Sequence, residues 1–584
     1  MQHLLWSRTG ARQGDPLGSL LFCLAASTVF SQIVAAAPAA TGFAIVDDAT
    51  VATPPTAEAV EAVLKAARCE GDRVGLALKA PKCFALWPHS APLPDGVAAA
   101  LREAGVDLVE GRVTTLLGAP IGGDPDALSA AALAVAESHA PFFERLVSPH
   151  LSVQEAMTLL RVCGVPKLGY LLRCARPSVT RAAAERFDAL ADDALWRLLG
   201  IDAASELSPS VRQQAALPIS RGGLGIFRAT TTATPAWLAA QAQAARHLHE
   251  AGLAATERRV AESTQARDAF IRSFAEGGTS RADAAKLLPA PADASDLAAF
   301  VAEPDAAVRL QHRLTALQHD RDFRALLPPA GQRDRERDRA RLLAVSAQGA
   351  GTWLHAIPTH PHARLDDQSF RVAARLRLGL APDQFMPAHC RPCGVAAGCL
   401  RSDPWHALSC VHLRSSAHTH RHDLVVKLLS KWIVRLGGTC VIEPHRLERP
   451  PDGSKRRPDL DVTLADKRYL VDVTVRHPAA PSRAYRGARG SLEVAAEAER
   501  EKTEYHRAAT AAARGAQFVP FAVETFGGLG RQAAEFVKTV SAQMAQLAYT
   551  WAPREVVAGL PTAVAVAIQR FNTRACLACL SSAD

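Results

Sequence analysis

Four cysteines fall between Cys390 and Cys410, in a stretch that also holds Pro392, Gly394, Gly398 and Pro404. Prolines and glycines at that density exclude a packed helix or strand. The sulfurs therefore sit in loops, and their spacing, Cys390-x2-Cys393, Cys399, then His406-x3-Cys410, takes two ligands from one tight turn and two from the next. Thiolate and imidazole in that arrangement make a tetrahedral zinc site. The expected ligands are Cys390, Cys393, His406 and Cys410, with Cys399 as a rival to any one of them. The alternative, a set of free buried cysteines, fits such a loop poorly. His412, His418 and His420 read as solvent-facing or phosphate-side residues, and Cys576-x2-Cys579, with no second pair near it, reads as incidental. The 12 cysteines form no evenly spaced framework, which points to a reducing compartment rather than a disulfide scaffold.

On either side of this loop the hydrophobic pattern changes character. A chain of 584 residues needs three or four units at ~100–200 residues each. Residues 1–126 mix an apolar helix after Pro16 with strands at Gly42–Val46 and Ala49–Thr53, a helix at Ala57–Cys69, and extended segments at Leu76–Lys79, Cys83–Trp87 and Val113–Leu117. Residues 127–385 carry almost only helical periodicity, and the Arg333–Arg341 run of alternating charge reads there as a solvated, ion-paired face. The loop itself occupies 386–414. An α/β region follows at 415–550, with a helix at Asp423–Leu436, strands at Thr439–Glu443, Leu460–Leu464 and Tyr469–Val475, and a long helix near Leu492–Ala513. Residues 551–584 read as a tail. The expected class is multidomain α+β.

Charge is distributed unevenly. Residues 1–350 hold 36 Lys and Arg against 37 Asp and Glu, whereas 351–584 hold 31 against 21, so the whole excess marks the C-terminal part as the polyanion binder. No uninterrupted apolar run reaches ~18 residues, and no membrane association is expected.

Two sets of carboxylates stand out. Asp47-Asp48 sits at a hairpin turn between apolar strands, where like charges repel and a divalent cation would offset the repulsion. Alone, the pair is simply a turn. The second set uses strand alternation: with Val471, Val473 and Val475 toward a core, Asp472 faces the other way. Counting back through a turn at Ala465–Arg468 sets Asp461 about opposite Asp472, with Asp459 two residues further on the same face. Such carboxylates can hold Mg2+ against a phosphodiester, or they can be a solvated hairpin face. Arg456, Arg457 and the helix bearing Lys502 favour the first reading.

Taken in order, these motifs resemble the reverse transcriptase and restriction-like endonuclease of site-specific non-LTR retrotransposons, the group inserting into ribosomal or spliced-leader genes. Gln13-Gly14-Asp15-Pro16-Leu17, Asp47-Asp48, Lys82 and Leu117-Gly118 are similar to the back half of a reverse transcriptase palm. The resemblance implies that Gln13 and Gly14 position template and nucleotide, that Asp47 and Asp48 form the metal turn, that Lys82 is the basic residue after it, and that Leu117-Gly118 is the primer grip. Ile45-Val46 replaces the family's aromatic residue and alanine. Residues 1–14 contain no Asp or Glu, so the earlier palm carboxylate is expected to be missing, with polymerization inactive in the sequence as written. The Cys/His loop, Arg421-His422-Asp423, Pro458-Asp459, Asp472 and Lys502 with Tyr505 resemble the endonuclease, and Thr474 stands where the usual nuclease lysine would be. By this resemblance Asp459, Asp472 and Lys502 are catalytic. Arg421, His422, Arg457 and Tyr505 contact substrate, and Asp47, Asp459 and Asp472 hold Mg2+ while zinc is structural. The helical middle is thumb and linker by position. The expected partners are target DNA and element RNA, the expected location the nucleus, and the activity DNA nicking for target-primed reverse transcription. The rival is a noncatalytic zinc-containing nucleic-acid binder, and a third reading is a polymerase whose gene begins further upstream.

Overall fold

The computed structural model describes residues 15–87, 92–110, 113–204, 206–250, 257–276, 278–288, 309–383, 389–394, 403–444, 457–464, 466–513, 515–548 and 559–579. The chain is mixed α+β and divides into two compact units, Met1–Ala134 and Val135–Asp584.

In the first unit, helix α1 (Gly18–Ala35) precedes the hairpin β1 (Thr41–Ile45) and β2 (Asp48–Ala52), and α2 (Ala57–Arg73) follows. Thr56 caps α2 through its side chain and Glu58 lies in the first turn, which suits the positive end of the helix dipole. β3 (Phe84–Trp87) pairs in parallel with β4 (Asp107–Glu110) around α3 (Val97–Glu103), and β5 (Val113–Leu116) pairs antiparallel with β6 (Ala119–Gly122). Among the described residues these are three separate two-stranded ladders, and the extended segment expected at Leu76–Lys79 forms no strand. The β5–β6 turn is Leu117-Gly118, both at positive φ (48° and 80°), the backbone that matches a tight hairpin's twist. By length and apolarity α1 is the one candidate among the described helices to cross a membrane. It buries Ala26, Val29 and Ile33 but leaves Leu17, Leu20, Leu21 and Leu24 exposed.

The second unit joins the helical middle to the α/β region. Its long helices include α4 (Pro177–Leu199), α5 (Ala229–Glu250) and α6 (Leu310–Leu326), followed by α7 (Glu336–Val345) and α8 (Asp367–Leu378). The charged run on α7 is a staple rather than a solvated face. Arg337 donates to the Ala479 carbonyl and to Asp403, Arg339 to Ala488 and Pro328, and the 4%-exposed Arg341 to Gln214. One helix thereby binds the middle, the Cys/His loops and the α/β region together.

In the α/β region α9 (Thr419–Arg435) leads into β7 (Thr439–Ile442), β8 (Leu460–Leu464) and β9 (Lys467–Arg476), three antiparallel strands. Helix α10 (Glu493–Tyr505) then crosses to β10 (Ala516–Glu524), parallel to β9, giving the sheet order β10-β9-β8-β7. Alternation sorts the faces. Leu460, Val462, Val471, Val473, Val519 and Phe521 pack with α9, α11 (Arg531–Ala548) and α12 (Gly559–Ala578), while α10 lies with Ala495 and Ala498 against Ala522. The segment read as a tail is thus partly core. α12 inserts Leu560, Val564 and Ile568, each no more than 1% exposed. Its first residue must be glycine, since a Cβ at Gly559 would stand 2.5 Å from the Trp432 ring.

Candidate metal centre and acidic site

Two turns build the first site. Cys390 and Cys393 flank a 3-10 turn, Arg391–Cys393, and His406 opens another, His406–Leu408, just before Cys410. The ligand atoms of Cys390, Cys393, His406 and Cys410 all lie within 4.8 Å of one another. Individual separations are 3.1 Å for the Cys393 and Cys410 sulfurs, 3.4 Å from Cys393 Sγ to His406 Nε2, and 4.0 Å from Cys390 to Cys410. Tetrahedral zinc with metal–sulfur bonds of about 2.3 Å needs sulfurs about 3.8 Å apart, so the set fits with small adjustments. Burial and the neighbouring thiols push the Cys393 thiol up to about 12. Thiols crowded in this way ionise together only when a cation is there to hold them. Cys399 lies outside the described residues. His418 is half-buried with Nε2 3.0 Å from the Ala407 carbonyl, and His412 and His420 are exposed. The reading of Cys579 as incidental is corrected: its sulfur is 3.3 Å from that of Cys390.

The second site lies at the β8–β9 edge. Leu464 pairs directly with Lys467 and Leu460 with Val471, so the hairpin is tighter than the turn expected at Ala465–Arg468. The register moves by two: Leu470, not Asp472, stands opposite Asp461, and the ladder ends at Leu460 and Val471, with Asp459 joined to β9 through the backbone N–H of Val473, the residue after Asp472. Asp461 is engaged by Arg468 instead. Asp459 Oδ2 accepts the Val473 backbone N–H at 2.6 Å and lies 3.1 Å from His422 Nε2. Burial pulls the His422 imidazole down, but Asp459 and Asp423 outweigh it and raise it to about 9, so the ring is a cation at neutral pH.

Asp472 is 4% exposed. Its Oδ2 lies 2.7 Å from the Lys502 ammonium and its Oδ1 2.9 Å from His506 Nε2. Burial pushes this carboxyl up, and the His506 hydrogen bond with the Lys502 charge overrides that, leaving it below the ordinary aspartate value. Lys502 and His506 are four residues apart on consecutive turns, so they share a face. His506 was not among the expected site residues, although the spacing Lys502-x3-His506 contained the signal. Tyr505 beside it is 48% exposed, its ring 6.0 Å from the Lys502 nitrogen. Arg421, expected at substrate, is instead 4% exposed and donates to Asn572 on α12. Arg457 is exposed next to the acidic pair.

In the first unit Val46 (φ 57°) and Asp47 form the turn, and Asp48 opens β2 opposite Ile45. Both aspartates are exposed, as is Lys82. Gln13 and Gly14 lie outside the described residues.

No family model matches the chain. It is similar to the retrotransposable element SLACS 132 kDa protein of Trypanosoma brucei gambiense, at 26% identity over 503 residues. The match covers 82% of this chain and 32% of the relative, so the chain spans about a third of that protein's length. The similarity is a single match over most of the chain, and what the chain is similar to is a retrotransposable-element protein.

Proposed function

We propose that the α/β region is a restriction-like endonuclease that nicks target DNA with Mg2+, inside the nucleus. The observation that carries this is Asp459 on the backbone N–H of Val473, next in the strand to Asp472, with the Lys502 ammonium 2.7 Å from Asp472. Carboxylate oxygens are the donors a hard divalent ion takes. Asp459 and Asp472 would hold the ion, which polarises a phosphodiester and activates water. Lys502 supplies positive charge to the phosphate as negative charge builds on it. His422 fixes Asp459 through the same oxygen that accepts the Val473 N–H. The C-terminal excess of basic residues holds DNA by its phosphates. Asp47 and Asp48, by the same reading, are the metal turn of an RNA-directed DNA polymerase palm with element RNA as template.

The test is nicking of supercoiled plasmid or target DNA in Mg2+, beside a gel shift on the same proteins. Asp472→Ala should lose nicking and keep DNA binding with its salt dependence. Lys502→Ala should nick more slowly by about 10²–10³. Equal nicking by wild type and Asp472→Ala would reduce Asp472 with Lys502 and His506 to a structural ion-pair cluster, and normal binding without nicking by either favours the noncatalytic binder.

A further inference from the structure

We propose that Cys579 is a fourth sulfur at the metal centre, a thiol that hydrogen-bonds the Cys390 ligand so that metal binding clamps the C-terminal helix onto the Cys/His loops. The proposal rests on Cys390, Cys393, His406 and Cys410 being the ligands, and is independent of DNA cleavage.

Four donors fill a tetrahedral zinc, which leaves Cys579 outside the ion. Its sulfur is 3.3 Å from that of Cys390, both residues are fully buried, and the Arg391 backbone N–H donates to the Cys579 carbonyl at 3.2 Å. Two independent contacts therefore join the end of α12 to the first ligand turn. A zinc-bound thiolate keeps negative charge and accepts a hydrogen bond, and a thiol is a weak donor well suited to a buried sulfur. Partners of this kind orient a ligand and hold its metal. Cys576, one turn earlier and 1% exposed, belongs to the same buried cluster and serves as a packing control.

The clamp reaches the acidic site. α12 also carries Asn572, which accepts from Arg421, and Arg421 precedes the His422 that touches Asp459. Toward its start it carries Leu560 and Val564 of the sheet's core. A metal held by two loop turns thereby braces the helix that supports the acidic site.

The experiment compares full-length wild type, Cys579→Ala, Cys579→Ser and Cys576→Ala, checked for fold by circular dichroism. Three readouts are taken: metal per chain, the sulfur-to-cobalt absorption band after Co2+ substitution, and the rate of zinc loss to a chelator. All four proteins should carry about one metal and show the same cobalt band. Cys579→Ala should lose zinc roughly 10–100-fold faster, Cys579→Ser, whose hydroxyl still donates, should fall between, and Cys576→Ala should match wild type. Wild-type loss rates in Cys579→Ala would overturn the proposal, as would equal acceleration in Cys576→Ala, which would mean helix packing alone. A weakened cobalt band in Cys579→Ala would make it a ligand rather than a donor and overturn it too. Wild type without metal would overturn the ligand assignment and the proposal together, whereas one metal with no Cys579 effect overturns only the proposal.

Discussion

Asp461 and Arg468 form a two-point ion pair, 2.9 and 2.8 Å long, on the strand face that also carries Asp472. The pairing takes Asp461 out of the acidic site and leaves Asp459 as the partner of Asp472. Asp461→Asn should therefore keep nicking within about twofold and cost no more than about 1 kcal/mol, as for other partly exposed pairs. Asp459→Asn should abolish nicking. Comparable loss in both variants would return the register to the one expected from the sequence.

Zinc content offers a check that needs no substrate. Cys393→Ser combined with His406→Ala removes two donors that stand 3.4 Å apart, and the double variant should hold no zinc where wild type holds about one per chain. An unchanged zinc content would dismiss the ligand set.

The last helix bears on the stability of the α/β region. Ile568 is fully buried in the sheet's core, so Ile568→Ala should destabilise this region by about 2–5 kcal/mol. A chain ending at residue 558 should expose that core and bind a hydrophobic dye. Unfolding midpoints matching wild type in both variants would restore residues 551–584 to the status of a tail.

The pattern of the sequence carried the α/β region well, because strands with one buried face alternate visibly: Val471, Val473 and Phe521 inward, Asp472 outward. The Cys/His set was legible for a similar reason, its ligands being close in sequence. What depended on distant pairing was not. The register of Asp461 followed from a turn two residues tighter than counted, and one such slip exchanges the neighbours of every side chain. Cys579 met Cys390 only through the docking of α12, across 189 positions. Arg337 and Arg339 looked solvated because their acceptors are mostly backbone carbonyls, which every sequence possesses and none displays. His506 lies one helical turn beyond Lys502, capping α10 directly after the more conspicuous Tyr505.

A buried carboxyl gives the α/β region a pH dependence of its own. Glu524 at the end of β10 is 1% exposed; Oε1 accepts the Ala495 N–H at 3.2 Å, while Oε2 is buried with no hydrogen-bond partner among the described residues. Burial drives its carboxyl from 4.5 up to about 7, against the weaker pull of that hydrogen bond. In the unfolded chain the group ionises near its ordinary value, so between the two values the folded protein binds the extra proton. Stability therefore falls as pH rises through that window and levels off above it, by on the order of 3 kcal/mol in all. Glu524→Gln cannot ionise and keeps an acceptor for Ala495. It should melt close to wild type at pH 5 and above it at pH 8, the gap widening between. Thermal midpoints across pH 5 to 8 read this directly, and a gap that stays constant with pH would show that Glu524 does not titrate in that range.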